Sequence, residues 1–514
     1  MDSKKITRAL ISVFYKDGLE PIVHQLAKNN VEFVSTGGTQ EFIEKLGYKV
    51  TPVEQLTGYP SIFGGRVKTL HPTVFGGILY RRDDAGDVKQ ANEFKIAPID
   101  LVIVDLYPFE ETVKKALSSG EGLGEADIIE KIDIGGISLI RGAAKNFNDV
   151  LIVSSRNQYT EVLELLKDRN SSTEISDRKR FAALAFDVTS HYDSAIFNYF
   201  NREQNIASLK SSYQNGKTLR YGENPHQKGI YFGDLDGLFD QLNGKELSYN
   251  NLVDVDAAVN LVKEFEGETA FVIIKHTNAC GVATGSSVKE TYLKAFQADT
   301  ISAFGGVLAC SKKIDLEAAE EMNKLFFEIL IAPDYEPAAL QLLKSKKNRI
   351  ILKQKQSLTA TKQFKSLLNG VIEQDLDLHT DSEADLKTVT KRAPSAQEVN
   401  ALLFASKVCK HTKSNTIILA VDGQMLSSGV GQTSRVDALK QAIEKAKSFG
   451  FDLKNAVMAS DAFFPFPDCV EIAYQHGISA VIQPGGSIKD QDSIDFCDEH
   501  YMAMVFTGFR HFKH

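Results

Sequence analysis

The chain has 514 residues, 43% apolar and 25% charged, with a net charge of -8 at pH 7; at about 150 residues per domain that length predicts three or four domains able to bury cores without disulfides or metals. A pI near 5.9 argues against a general nucleic-acid binder and leaves local basic clusters to hold small anions such as phosphate. The five cysteines are scattered and never spaced C-x-x-C, and neither an N-terminal signal core nor an apolar run near 18 residues occurs, so no disulfide framework, zinc knuckle or membrane contact is expected and the setting is reducing and cytoplasmic.

Residues 8–13 read as a strand, and Leu19, Ile22, Val23, Leu26 and Ala27 then recur at helical spacing behind Asp17 as N-cap. Residues 31–35 give the next strand, which ends in Thr36-Gly37-Gly38-Thr39 ahead of a second helical stretch. Residues 99–107 and 149–155 supply further strands. This alternation predicts a parallel α/β domain over residues 1–198. The polar stretch 198–218 reads as the main linker, and a larger region, 199–514, follows. Within it, residues 344–395 are rich in lysine and then in acidic residues, which suggests an exposed connection between two sub-domains. No fixed-period repeat is evident.

Glycines at a strand-to-helix turn let backbone N–H groups approach a phosphate, so the Gly37-Gly38 turn is either a tight turn or an anion cradle. Gly64-Gly65-Arg66-Val67-Lys68-Thr69-Leu70-His71-Pro72 places two cations and a hydroxyl beside a Gly-Gly turn, a pattern suited to an anionic ligand. Tyr107 closes an apolar strand, and Asp133 and Lys145 stand beside Gly-Gly and Ala-Ala pairs. Singly these are a helix cap and a surface lysine. With Lys68 and Tyr107 they form a set able to shuttle protons around a phosphorylated substrate.

In the second region the run Phe271-Val272-Ile273-Ile274 reads as a buried strand that delivers Lys275 and His276 to a loop. The pair is either a solvated strand edge or an acid/base pair in which imidazole takes a proton and the cation stabilises developing charge.

Together GGRVKTLHP, DLYPF, IDIGG and AAKN, then LRYGENPHQ, LSYNNL, KHTNACG, ADTISAFGG, KSNT, SDAFFPF and the terminal FRHFKH, closely resemble the bifunctional purine-biosynthesis family. Its members pair a 5-aminoimidazole-4-carboxamide ribonucleotide (AICAR) formyltransferase with an inosine-monophosphate (IMP) cyclohydrolase. The resemblance spans essentially the whole chain. It implies a methylglyoxal-synthase-like first domain, a second domain of two cytidine-deaminase-like sub-domains and a homodimer. The ligands it implies are AICAR, formyl-AICAR and IMP, with 10-formyltetrahydrofolate as co-substrate. The deaminase zinc signature, H-x-E with P-C-x-x-C, is absent, so no zinc is expected; whether a monovalent cation binds is left open.

The resemblance makes His276 the base for the weakly nucleophilic amine, Lys275 the support for developing charge and Asn415 a neutral donor near the formyl group. Arg220, Tyr221, Arg510 and His514 match nucleotide-binding positions, Phe463 and Asp468 the folate-side wall, and Asn251, Gly305 and Glu328 further ligand contacts. For ring closure it implies proton transfers by Lys68, Tyr107, Asp133 and Lys145. Ser12, Lys16, Thr36, Gly37, Gly38, Thr39, Arg66 and Thr69 are its expected substrate contacts. Two departures stand out: Ala279 where many relatives carry proline, and Asp105 where many carry asparagine, which would lose an amide contact to substrate. A regulatory role for the first domain, or a nucleotide-binding regulator throughout, are the competing readings; the full set of reactive residues disfavours both.

Overall fold

A computed structural model of the chain describes residues 3–63, 67–118 and 123–514 and divides it into two compact units, Met1–Gln214 and Asn215–His514. In the first unit, short apolar strands form an all-parallel sheet in the spatial order Val50–Pro52, Glu32–Ser35, Arg8–Ser12, Leu101–Val104, Leu151–Val153. Consecutive residues of the inner strands are buried, which means both faces of the sheet are covered; such strands read as continuous apolar runs. In chain order the strands sit 3-2-1-4-5. The order therefore reverses between Arg8–Ser12 and Leu101–Val104, and open α/β sheets take ligands beyond the carboxyl ends of strands at that reversal. The helix Glu20–Lys28 is capped at Leu19 with a proline in its first turn, while Asp17 faces Arg156 instead.

The helix Ile175–Gln204 runs through Asn198, so the first turns of the stretch read as a linker are helical. Arg202, Glu203 and Gln204 are exposed and are good helix formers, polar because they face solvent. The irregular part is confined to residues 205–216.

The second unit is built on a twelve-stranded sheet in which one pattern occurs twice. In the first half the hairpin Thr269–Lys275 and Asn278–Gly285 is followed outward by antiparallel Val307–Cys310, then by parallel Ile329–Ala332 and Ile350–Gln354. In the second, the hairpin Ile417–Val421 and Gln424–Gly429 is followed by Val457–Ser460, Ala480–Gln483 and Ala503–Phe506 in the same senses. The halves join where Ala283 pairs with Gln424, and each outer edge gains one antiparallel strand, Phe239–Asn243 or Lys387–Thr388. Helices Tyr249–Lys263 and Ala396–Lys410 precede the two hairpins, and Val288–Gln297 and Arg435–Ser448 follow them.

Equivalent glycines mark the repeat. A Cβ on Gly281 would lie 1.8 Å from the carbonyl oxygen of Ala295, and one on Gly429 1.7 Å from that of Ala438. Strand and following helix thus touch backbone to backbone in both halves. Each half is a sheet with flanking helices built to the same plan. The two hairpins, FVIIKHTNACG and IILAVDGQMLSSG, share a pattern of burial and few identities, which hides the repeat from sequence.

Phe271 and Ile273 pack with Tyr292 and Ala295 of one flanking helix, and Val272 and Ile274 with Val255, Ala258 and Val259 of the other. Each such burial contributes roughly 1.5–3 kcal/mol. Lys275 is the first residue of the run free to leave the core. Within residues 344–395, Ile350, Ile351 and Leu352 are buried in the sheet, and the exposed part is the hairpin Lys362–Leu367 and Gly370–Asp375. Among the described residues no helix is long and apolar enough to cross a membrane.

Candidate active sites

A cleft of about 760 Å³ opens at the strand reversal of the first unit. Ser12, Lys16, Thr36, Gly37, Gly38, Thr39, Lys68, Thr69, Tyr107 and Asp133 all line it. At one pole Gly37, with φ of 46°, opens the helix Gly37–Lys45. A Cβ there would stand 3.5 Å from Lys68 Nζ, and one on Gly38 3.9 Å from Lys16 Nζ. Two ammonium groups therefore stand over a helix N-terminus, an arrangement that attracts a phosphate.

Lys16 Nζ donates to the carbonyls of Val13 at 2.6 Å and Phe14 at 2.9 Å, and burial lowers its pKa. Thr39 Oγ1 accepts from the Val13 amide and donates to its carbonyl, and Ser12 Oγ lies 3.1 Å from Thr36 Oγ1. These hydroxyls stitch the strand end to the glycine turn. Asp105 accepts from the Phe14 and Tyr15 amides, and burial raises its pKa. Its carboxylate shapes the loop that aims Lys16, a use for which its acceptor oxygens suit it.

At the other pole Asp133 is 9% exposed and accepts from the Gly136 amide at 2.6 Å, and the Tyr107 backbone beside it also favours its charged form. Burial pushes the Asp133 carboxyl upward. Burial, then the Asp133 charge, does the same to the Tyr107 phenol. A carboxyl biased toward its neutral form beside a phenol is a proton-donor set. The Asp133 amide donates to Tyr192 Oη at 2.9 Å, which in turn donates to the Lys131 carbonyl. Nothing in the sequence pattern distinguishes Tyr192 from the apolar row of its helix. Lys145 is exposed at the last turn of the helix Gly135–Lys145, about 15 Å from the cleft end of that helix at 1.5 Å per residue. The structure does not bring it to this cleft. Arg66, with Gly64 and Gly65, lies outside the described residues.

In the second unit Lys275 Nζ donates to the Phe304 carbonyl at 2.7 Å. His276 and Thr277 adopt consecutive left-handed conformations, φ 51° and 66°, each costing about 1–2 kcal/mol for a residue with a Cβ. Asp254 holds this turn: its Oδ1 accepts the Thr277 amide at 2.7 Å, and its carboxylate faces His276. Asn278 ties the turn to the second half, since its Nδ2 donates to the His276 carbonyl and its Oδ1 accepts the Lys413 amide.

Asn415 is fixed by Gln432, whose carbonyl takes both its amide and its Nδ2, the latter at 2.9 Å. Ser414 exchanges hydrogen bonds with the Lys513 backbone, so the tail that carries Arg510 and His514 is seated on the Asn415 loop. Gly305, φ 72°, follows Phe304 directly and donates to the Phe326 carbonyl. The contacts thus join Lys275, His276, Gly305, Asn415 and the tail. The remaining expected residues stand on separate elements with local partners. Arg220 lies over the Tyr221 ring, Asn251 caps a helix with Ser248, Glu328 pairs with Lys245 and Asp468 accepts the Cys469 amide. Phe463 is partly exposed. Asp254 and Asn278 act through backbone groups, which leaves no residue-type signal in the sequence.

Residues 143–445 match the family described as AICARFT/IMPCHase bienzyme, and residues 18–138 match the MGS-like domain. The protein named bifunctional purine biosynthesis protein PurH from Bacteroides thetaiotaomicron is 60% identical over 513 residues, covering 100% of both chains. The protein of the same name from Aquifex aeolicus is 48% identical, covering 99% of this chain and 100% of its own, and that from Chlorobium phaeobacteroides is 44% identical over 100% of both.

Proposed function

The chain belongs to the AICARFT/IMPCHase bienzyme family and is a bifunctional AICAR formyltransferase and IMP cyclohydrolase; from that premise we propose that formyl transfer runs at the Lys275-His276 turn and ring closure in the cleft of the first unit. The observation that carries this reading is the convergence of ten chemically apt residues on one cleft at the strand reversal.

In the first step the 5-amino nitrogen of AICAR attacks the formyl carbon of 10-formyltetrahydrofolate, the carbon–N10 bond breaks and tetrahydrofolate leaves with a proton. His276 takes the amine proton. Lys275, with one N–H held by the Phe304 carbonyl, presents its remaining protons to the developing charge, and Asn415 offers the Nδ2 proton not given to Gln432. Arg510 and His514 on the tail, with Arg220 and Tyr221, bind the nucleotide; Phe463 and Asp468 form the folate side, and Asn251, Gly305 and Glu328 complete the surroundings.

In the second step the carboxamide nitrogen joins the formyl carbon and water leaves, giving IMP. Lys16, Lys68 and the Gly37-Gly38 helix end hold the phosphate, with Ser12, Thr36, Thr39 and Thr69 around it. Asp133 and Tyr107 move the protons. A role for Lys145 requires it to come from a second copy of the chain, which accords with a homodimer; exposed Ile301, Phe304 and Phe326 beside Lys275 support such an interface. Asp461, whose Oδ1 faces Arg435 at 3.2 Å and whose buried Oδ2 has no hydrogen-bond partner, offers an oxygen to a monovalent cation. Five buried, unpaired cysteines accord with a reducing cytoplasm.

Incubating the full chain with AICAR and 10-formyltetrahydrofolate, and resolving products over time, tests the reading. Tetrahydrofolate and IMP should both appear; formyl-AICAR accumulating alone would confine catalysis to the second unit.

A further inference from the structure

We propose that His379, Asp381 and Asp385 form a binding site for a divalent transition-metal ion, zinc in the first instance, beneath the C-terminal tail of the second unit. His379 Nε2 lies 3.6 Å from Asp381 Oδ1 and 3.6 Å from Asp385 Oδ2, and one ligand atom from each residue lies within 4.8 Å of the others. A separation of 3.6 Å is too long for a direct hydrogen bond. It suits two ligands of one ion: a point equidistant from the three atoms would be about 2.0–2.4 Å from each, close to zinc–nitrogen and zinc–oxygen bond lengths.

A second observation points to a ligand. The Asp381 side chain is 1% exposed, and its Oδ1, like His379 Nε2, is buried without a hydrogen-bond partner. Buried polar atoms in native structures are almost always satisfied. The surrounding groups fix these atoms in place. Asp381 Oδ2 accepts from Ser406 Oγ and lies 3.4 Å from His511 Nε2; Asp385 Oδ2 accepts from the amide and hydroxyl of Ser382; the His379 ring stacks on Phe509 with centroids 3.7 Å apart. Supporting contacts of this kind orient ligands in metal sites.

The carboxylates of Asp381 and Asp385 face His379, and those of Asp377 and Asp381 face His511, with the Lys410 charge also acting on Asp377. One imidazole with two carboxylates favours zinc or a similar ion over calcium, which takes six to eight oxygens. The bound ion would fix the floor on which Phe509 and His511 rest, next to Arg510.

The test uses the full, untagged chain, stripped with a chelator and dialysed against zinc, with metal content measured by mass spectrometry. One zinc per chain should be retained, and His379→Gln and Asp385→Asn should each weaken binding at least tenfold. The thermal midpoint should rise with zinc in the unsubstituted chain only. Asn at position 385 keeps an acceptor for Ser382, so this variant remains informative if the other folds poorly, and the buried cysteines offer no competing exposed thiols. No zinc retained, or equal retention in both variants, would overturn the proposal and leave His379 as an ordinary partner of two carboxylates.

Discussion

Replacing Asp254 by alanine removes the acceptor of the Thr277 amide and the carboxylate that faces His276. The turn it holds contains two consecutive left-handed residues, so it persists because the carboxylate anchors it through the Thr277 amide rather than by its own preference. A hydrogen bond to a charged group is worth about 1.5–3 kcal/mol. Losing about 2 kcal/mol of hold on the catalytic turn corresponds to a roughly 30-fold fall in kcat/KM, at 1.4 kcal/mol per tenfold. The assay is tetrahydrofolate release from 10-formyltetrahydrofolate and AICAR, with closure of supplied formyl-AICAR as the control that the chain is folded. Asp254→Ala should lose formyl transfer 10- to 100-fold, about the range given by 1.4 to 2.8 kcal/mol, and keep closure. Asp254→Asn, which retains an acceptor oxygen, should fall between. Wild-type formyl transfer in Asp254→Ala would refute the claim that this carboxylate positions His276.

His276→Ala should abolish formyl transfer and leave closure of supplied formyl-AICAR intact; near-normal transfer would remove His276 as the base. Lys16→Ala should raise the KM for formyl-AICAR about tenfold or more, as expected for losing one charged contact to phosphate, with a smaller change in kcat; an unchanged KM would move the phosphate elsewhere. Burial opposes the charge on Glu264, but hydrogen bonds from His411, Lys410 and Thr380 outweigh it and hold its pKa at about 2, against 4.5 for the ordinary side chain. Because the folded value is depressed, its contribution is fully present above about pH 4.5 and is lost as pH falls through 2. The shift corresponds to roughly 3 kcal/mol. Denaturant unfolding of Glu264→Gln should therefore start from lower stability and fall less steeply below pH 4.5, whereas identical pH slopes would contradict the assignment.

The strands buried on both faces were readable because such burial leaves continuous apolar runs, as at Phe271–Ile274. The edge strand Val50–Pro52 has only three residues, one of them proline, and offers no such run. The duplicated half-sheets leave no fixed-period repeat because topology, not residue identity, repeats; only the family resemblance pointed to two sub-domains. In the first unit the lining of the cleft was legible: its motifs are local, and a strand end, a glycine turn and a helix start bring them together. Residues that act through distant partners were not. The Tyr192 hydroxyl meets an amide 59 positions away, and Asn278 a backbone amide 135 positions away. Lys145 shows the converse, for a residue matched by motif stands at the wrong end of its helix to share the cleft with Lys68.

The division of labour between the two units is tested most directly by Lys68→Ala supplied with AICAR and 10-formyltetrahydrofolate. Tetrahydrofolate and formyl-AICAR should accumulate in equal amounts while IMP falls far behind, because the second unit remains intact. IMP formed at the wild-type rate would contradict the assignment of ring closure to the cleft beside Gly37.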